Sequence, residues 1–184
     1  MKNTFVYILL ICVFGCGQIK KNDKPDTRKE FYNNGKIKEE CEYLNNKKHG
    51  INKKYFADGK KQEYALYSND SLLYSEKYSN GVVNNVYRKI NIDFNKNLFH
   101  VGDTIYSLIS VFGPEAEMMI CAEIKNQPID SISSTIESIP VYKNKGYFGS
   151  IIKQKGKLFL NVQIFVKDNP PYALLYYKKI NVLN

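Results

Sequence analysis

Residues 31–46, FYNNGKIKEECEYLNN, return with a shift of 24 positions as residues 55–70, YFADGKKQEYALYSND. At that shift Asn34-Gly35 falls on Asp58-Gly59, Lys36 on Lys60, Glu39 on Glu63 and Tyr43 on Tyr67. A finer beat runs through the same region, because Tyr32, Tyr43, Tyr55, Tyr67 and Tyr78 are spaced 11, 12, 12 and 11 residues apart. Self-similarity of this kind marks stacked supersecondary units. Asn-Gly and Asp-Gly tolerate positive φ and therefore form tight turns. Between the turns the chain alternates in character, as in Ile37-Lys38-Glu39-Glu40-Cys41-Glu42-Tyr43, which is the period of a strand. Residues 30–89 are expected to form an antiparallel meander of short strands.

The alignment also reads Cys41. It falls on Ala65, so the position asks for a small apolar side chain, and a buried free cysteine behaves as one. A bridge to Cys121 stays open because an exported protein meets an oxidising compartment, although no spacing framework points to it.

The pattern YxNGKxxxE, followed by Lys48-His49-Gly50 and then Tyr55-Phe56, resembles the variant MORN repeats of bacterial proteins over residues 30–82. The second unit departs from it. Ser68-Asn69-Asp70-Ser71 stands where a glycine-containing turn is usual, and no His-Gly pair follows. A third unit survives as Tyr78-Ser79-Asn80-Gly81. The resemblance implies a sheet that serves as a binding or scaffold surface. Some proteins with such repeats are labelled antitoxins, which gives the alternative expectation of an immunity or antitoxin-like lipoprotein that neutralises a toxin.

From Ile90 the repeat stops. Apolar strand-like runs appear at 90–94, 104–112, 118–125, 135–139, 147–153, 158–166 and 173–182, with turn signals such as Gly113-Pro114 and Lys155-Gly156 between them. In LFLNVQIFV (158–166), Leu158, Leu160, Val162, Ile164 and Val166 line one face; Phe159, Asn161, Gln163 and Phe165 line the other. Short strands without helical periodicity point to an immunoglobulin-like β-sandwich over residues 90–184. The resemblance is architectural, since the chain has no Trp and lacks the Cys…Trp…Cys hallmark of antibody domains. The fold class expected is all-β throughout.

The chain begins with one lysine, Lys2, and an uncharged run FVYILLICVF over residues 5–14. That run is half the length of about 20 residues that a membrane-spanning helix requires, and its order is that of a secretory signal peptide. Val13-Phe14-Gly15-Cys16 resembles a bacterial lipobox, which implies a signal peptide over residues 1–15 and lipidation, including palmitate, of Cys16. Residues 16–29 are polar and charged and are expected to be a flexible tether. Gly17 after the anchor resembles the arrangement that directs lipoproteins to an outer membrane. The expected address is therefore the cell envelope, with the membrane engaged through the lipid.

The formal charge is +9, carried by 25 Lys and only 2 Arg. Arginine is the usual choice for gripping phosphate with two bonds, and acidic residues are interspersed throughout, so a nucleic-acid partner is not expected. No nucleophile elbow, P-loop or dinucleotide fingerprint occurs. His49 and His100 lie far apart in sequence, and His100 with Asp103 offers two groups in one turn where a catalytic zinc typically takes three protein ligands. No catalytic residue, metal or cofactor is assigned, and a periplasmic hydrolase is the remaining enzymatic alternative. Tyr32, Tyr43, Tyr55, Tyr67 and Tyr78 are the candidate binding surface, an aromatic ladder for an envelope protein or a glycan. The competing reading makes the same tyrosines the packing stripe of a thin sheet.

Overall fold

The computed structural model describes residues 24–131, 138–168 and 171–183; Cys16 and the signal peptide expected over 1–15 lie outside them. Its elements are all strands. The first six form one antiparallel meander in chain order: β1 (Asp26–Phe31), β2 (Ile37–Leu44), β3 (Lys47–Tyr55), β4 (Lys61–Ser68), β5 (Ser71–Ser79) and β6 (Val82–Arg88).

Two turn designs alternate, and each follows from its residues. Asn33-Asn34-Gly35 and Ala57-Asp58-Gly59 place glycine at φ 80° and 94°. Gly35 N donates to Tyr32 O at 2.9 Å and Gly59 N to Phe56 O at 2.8 Å, the hairpin form in which a tight turn is followed by a left-handed residue. At the other ends, Asn45-Asn46, Asn69-Asp70 and Asn80-Gly81 place both central residues at positive φ, the two-residue turn whose twist matches the strands it joins. The turn Ser68-Asn69-Asp70-Ser71 thus needs no glycine, because its partner 24 residues earlier, Asn45-Asn46, has none either. Neighbouring turns are tied together. Asn34 Nδ2 donates to Ala57 O at 3.0 Å, and Lys48 N donates to Asp70 Oδ1 at 2.8 Å.

The last residues of the tether expected over 16–29 are strand. Asp26–Lys29 already belong to β1, opposite Tyr43 to Glu40 of β2. This strand is exposed along its whole length. It is held by its ladder, by a Lys29–Glu40 ion pair at 3.1 Å and by Arg28 over the Tyr43 ring at 4.3 Å. A strand that buries no side chain carries no apolar alternation, so its sequence looks like linker. Its alternating charges also guard an open sheet edge against mispairing.

Only Lys89 separates β6 from β7 (Ile90–Phe94). The chain continues with β8 (Thr104–Val111), β9 (Met118–Lys125), β10 (Ser138–Ile139), β11 (Val141–Tyr142), β12 (Lys145–Ile151), β13 (Leu158–Val166) and β14 (Tyr172–Ile180). They make two four-stranded sheets of order β11-β12-β8-β7 and β10-β9-β13-β14. This is the A-B-E-D and C′-C-F-G arrangement of an immunoglobulin-type sandwich. The run 138–142 changes sheets at Pro140: β10 pairs with β9 on one side, β11 with β12 on the other. Proline has no N–H to give a ladder, which suits that crossing.

One core joins the two sheets. Ile92, Ile105 and Ile109 of one face meet Ile120, Leu160, Val162 and Ile164 of the other. In β13 the apolar face is buried as its alternation predicts, but Asn161 and Gln163 are buried too. The segment after β9 folds over Asn161, with Ile129 N donating to Asn161 Oδ1 at 3.0 Å and Asn161 Nδ2 to Gln127 O at 3.0 Å. Alternation marks the sides of a strand; it does not say which side meets water.

Candidate functional site

The five tyrosines of the proposed ladder are all half-buried, and they are divided between faces of the meander. Across β2, β3, β4 and β5 the register aligns Cys41, Asn52, Ala65 and Ser75 in one row. These four are buried although the sheet is a single layer. Tyr43, opposite Lys48, and Tyr67, opposite Gly50, stand on the same side as this row, and Lys48 Nζ lies 5.4 Å from the Tyr67 ring. Tyr55 and Tyr78 belong to the other side. Each stands three residues from the buried row, at Asn52 and Ser75, so plain alternation sends it to the opposite face; ladder shifts on the partner strands bring Lys61 and Val83 round to meet them, and Lys61, opposite Tyr55, lies 4.8 Å over the Tyr78 ring. Tyr32 is tied down at the turn, its hydroxyl donating to Tyr55 O at 2.8 Å.

On the first face, the buried row is roofed by charge pairs. Lys48 Nζ meets Glu39 Oε1 at 3.1 Å and Lys54 Nζ meets Glu63 Oε2 at 2.9 Å. Asn52 Nδ2 also donates to Glu39. Burial pushes the Glu39 carboxyl up, but the hydrogen bonds from Asn52 and Lys48 and the charges of Lys48 and Lys54 outweigh it and hold it below the usual carboxylate range. Cys41 and Cys121 are both free and buried, so they do not form a bridge, and Cys41 fills the small apolar place its alignment with Ala65 implies.

The Lys48-His49-Gly50 motif has a local geometric cause. Gly50 has φ 88°, and a Cβ there would lie 2.0 Å from Glu42 Oε2. That carboxylate instead accepts the Ile51 N–H at 2.8 Å. The second unit drops one residue at this bulge and pairs Leu66 directly with Tyr74.

Tyr74 is where the meander meets the sandwich. It is buried, stacks edge-on against Tyr64 with centroids 6.3 Å apart, and lies 4.8 Å under the Arg88 guanidinium. Arg88 is 4% exposed. Its Nε donates to Tyr172 Oη at 2.7 Å, its Nη1 to Pro114 O at 2.9 Å and Phe112 O at 3.3 Å, and its Nη2 faces Asp168 at 3.5 Å. Gly113 admits this packing, because a Cβ there would lie 2.6 Å from the Tyr74 ring and 2.7 Å from Arg88 Nη1. The hydroxyls of Tyr74 and Tyr78 both donate to Glu76. Burial, followed by that carboxylate, raises the Tyr74 hydroxyl well above its ordinary range and the Tyr78 hydroxyl to about 12. These groups are donors fixed in one protonation state and their partners are all within the junction. Arg88 is a structural rivet.

Turn residues elsewhere are similarly engaged. Asp103 accepts His100 N at 2.7 Å and pairs with Lys96 Nζ, while His100 Nδ1 stands 3.7 Å away. Among the described residues no three His, Cys, Asp or Glu side chains converge as metal ligands.

A face that sequence reading passed over is the outward side of the sheet β11-β12-β8-β7. Tyr106, Tyr147 and Tyr142 project from it and are 60%, 70% and 71% exposed. Tyr106 and Tyr147 border a shallow depression of about 530 Å³ that crosses β12, β8 and β7. The signal was available: in TIYSLISV and KGYFGSI the inward positions are taken by Ile105, Ile109 and Phe148, which sends Tyr106 and Tyr147 outward. Comparison with known proteins finds no matching family model, no matching curated protein and no matching solved structure, so the residues themselves carry the functional reading.

Proposed function

We propose that this chain is a lipid-anchored protein of the bacterial cell envelope, held to the outer membrane through an acylated Cys16, and that it acts by binding. The observation that carries the binding reading is the tyrosine face of the sandwich. Three large side chains, each more than half exposed, share one side of one sheet, and contiguous exposed aromatic surface marks interaction sites. The anchor reading is supported by the order of residues 1–16: one lysine, a short apolar run, a small residue and a cysteine. On this reading the meander stands between anchor and sandwich as a stiff spacer, and the partner is an envelope protein or a glycan.

Two measurements test it. Cys16→Ala abolishes lipid labelling and membrane fractionation; a variant that stays membrane-bound sinks the anchor. A photocrosslinking residue at position 147, read in intact cells, captures an envelope component. Equal yields there and at exposed Asn84 on the meander's edge strand would remove the tyrosine face from the proposal.

A further inference from the structure

The outward face of the sheet β11-β12-β8-β7 has a geometry that narrows its ligand. Register sets Tyr106 opposite Gly149, Leu108 opposite both Tyr147 and Asp93, and Tyr142 opposite Lys145. Tyr106 and Tyr147 are therefore diagonal neighbours on adjacent strands, and so are Tyr147 and Tyr142. Diagonal positions lie about 7–8 Å apart, so the three rings make an oblique line across three strands. Tyr106 leans across Gly149: a side chain there would begin 3.3 and 3.4 Å from its Cδ1 and Cε1. The ring covers the glycine backbone and still leaves most of Tyr106 open to solvent.

Charge and area decide between kinds of partner. Asp93, bonded by Asn91 at 2.7 Å, stands at one side of the face, and Lys145 and Lys143, the latter's Nζ 5.3 Å over one side of the Tyr142 ring, stand at the other. A protein of formal charge +9 thus presents a nearly neutral patch here. A tyrosine buries on the order of 200 Å², so rings exposed to this degree offer roughly 400 Å² in all. A stable protein interface takes about 800 Å² from each partner. The rings by themselves supply about half the area a second copy of the chain would need, and the face is too weakly charged for an ionic ligand, whereas its rings are bordered by hydrogen-bonding groups at Asn91, Asp93 and Ser110.

We infer that this face is a platform for an extended chain of uncharged, β-linked pyranose sugars. Their flat C–H faces stack on Tyr106, Tyr147 and Tyr142, and their hydroxyls bond to Asp93, Asn91 and the tyrosine hydroxyls. The inference rests on the binding reading above and names its ligand class.

Calorimetric titration of the full mature chain in mild detergent with cellohexaose and with hexa-N-acetylchitohexaose tests it. The expected result is saturable binding of at least one sugar. Tyr106→Ala and Tyr147→Ala each weaken it about fivefold, the range of one aromatic contact, and Tyr147→Phe stays within about twofold because the stacking surface is kept. Gly149→Val, which fills the space under the Tyr106 ring without deleting it, weakens binding as well. All three positions are on the surface, so an unchanged thermal midpoint certifies folding. Absence of saturable binding to both sugars, or binding that survives the Tyr106→Ala/Tyr147→Ala double variant, overturns the platform. If the sugars fail while the crosslinker at position 147 captures an envelope protein, the glycan falls and the binding reading stands. If both fail, both fall.

Discussion

On one side of Lys89 the chain builds a sheet one layer thick; on the other it builds two sheets around a shared core. The sandwich buries large aliphatic side chains, Ile92, Ile105, Ile109, Leu160 and Ile164 among them. The meander buries Cys41, Asn52, Ala65 and Ser75, all small or polar, and its one large buried hydrophobe is Tyr74, at the junction. The first region draws stability from area removed from water. The second draws it from ladders, tied turns, and aromatic rings and ion pairs laid over a row of small residues. The lesson is that repeat geometry can replace a core only when something rigid stops one end, and here Arg88 and Tyr74 fasten that end to the sandwich.

The sharpest test of this contrast is a deletion in each region. Leu160→Ala removes a fully buried side chain from the shared core and is expected to cost about 3 kcal/mol, read as a fall in the urea midpoint. A change below about 1 kcal/mol would mean that the two sheets are not packed as described. Arg88→Ala attacks the fastening itself. It takes the Arg88 donor from Tyr172 Oη and from the Phe112 carbonyl, while Pro114 O keeps Asn144 Nδ2 at 2.8 Å, at an expected cost of about 2–3 kcal/mol. Its signature differs from that of Leu160→Ala. Unfolding splits into two transitions, with fluorescence from the tyrosine-rich meander lost first; a single cooperative transition would show that the sandwich does not support the meander through this residue.

Within the meander the expected effects are smaller and local. Gly50→Ala introduces a Cβ at φ 88° where Glu42 Oε2 already sits. Left-handed strain in a non-glycine residue costs about 1–2 kcal/mol, and the displaced carboxylate releases the Ile51 N–H. Hydrogen exchange at Ile51 is expected to accelerate while exchange in β8 and β13 is unchanged. Protection lost across both regions at once would contradict the division between them.

These positions also show what the sequence can reveal. The turns were legible because Asn34-Gly35, Asp58-Gly59 and Asn80-Gly81 name their own backbone conformations. The strands of the sandwich were legible from alternation, with β11 hidden behind Pro140. The assignment of tyrosines to faces was not, because it depends on the register that aligns Cys41, Asn52, Ala65 and Ser75 in one row: Tyr43 and Tyr67 stand two residues from that row and Tyr55 and Tyr78 three, a difference that their near-even spacing conceals. The departure of the second repeat from the first carried more meaning than their agreement. Where Gly50 and Glu42 make a self-contained bulge, Tyr74 packs against Arg88 and Gly113 at the junction with another region, a role that only tertiary structure can disclose.

The smallest expected effect tests that logic most directly. Cys41 and Ala65 occupy equivalent places on either side of Asn52 in the buried row. If the row demands only a small apolar group, Cys41→Ala removes one sulfur from a site its own repeat already fills with alanine, and costs about 0.5 kcal/mol. Cys41→Leu adds bulk beneath Tyr43 and the Glu39–Lys48 pair, where overpacking costs about 1–3 kcal/mol. The pair of variants separates packing from thiol chemistry. Equal losses in both would show that the sulfur itself matters, whereas a large difference places the demand on size, the one property the two halves of the repeat share at this position.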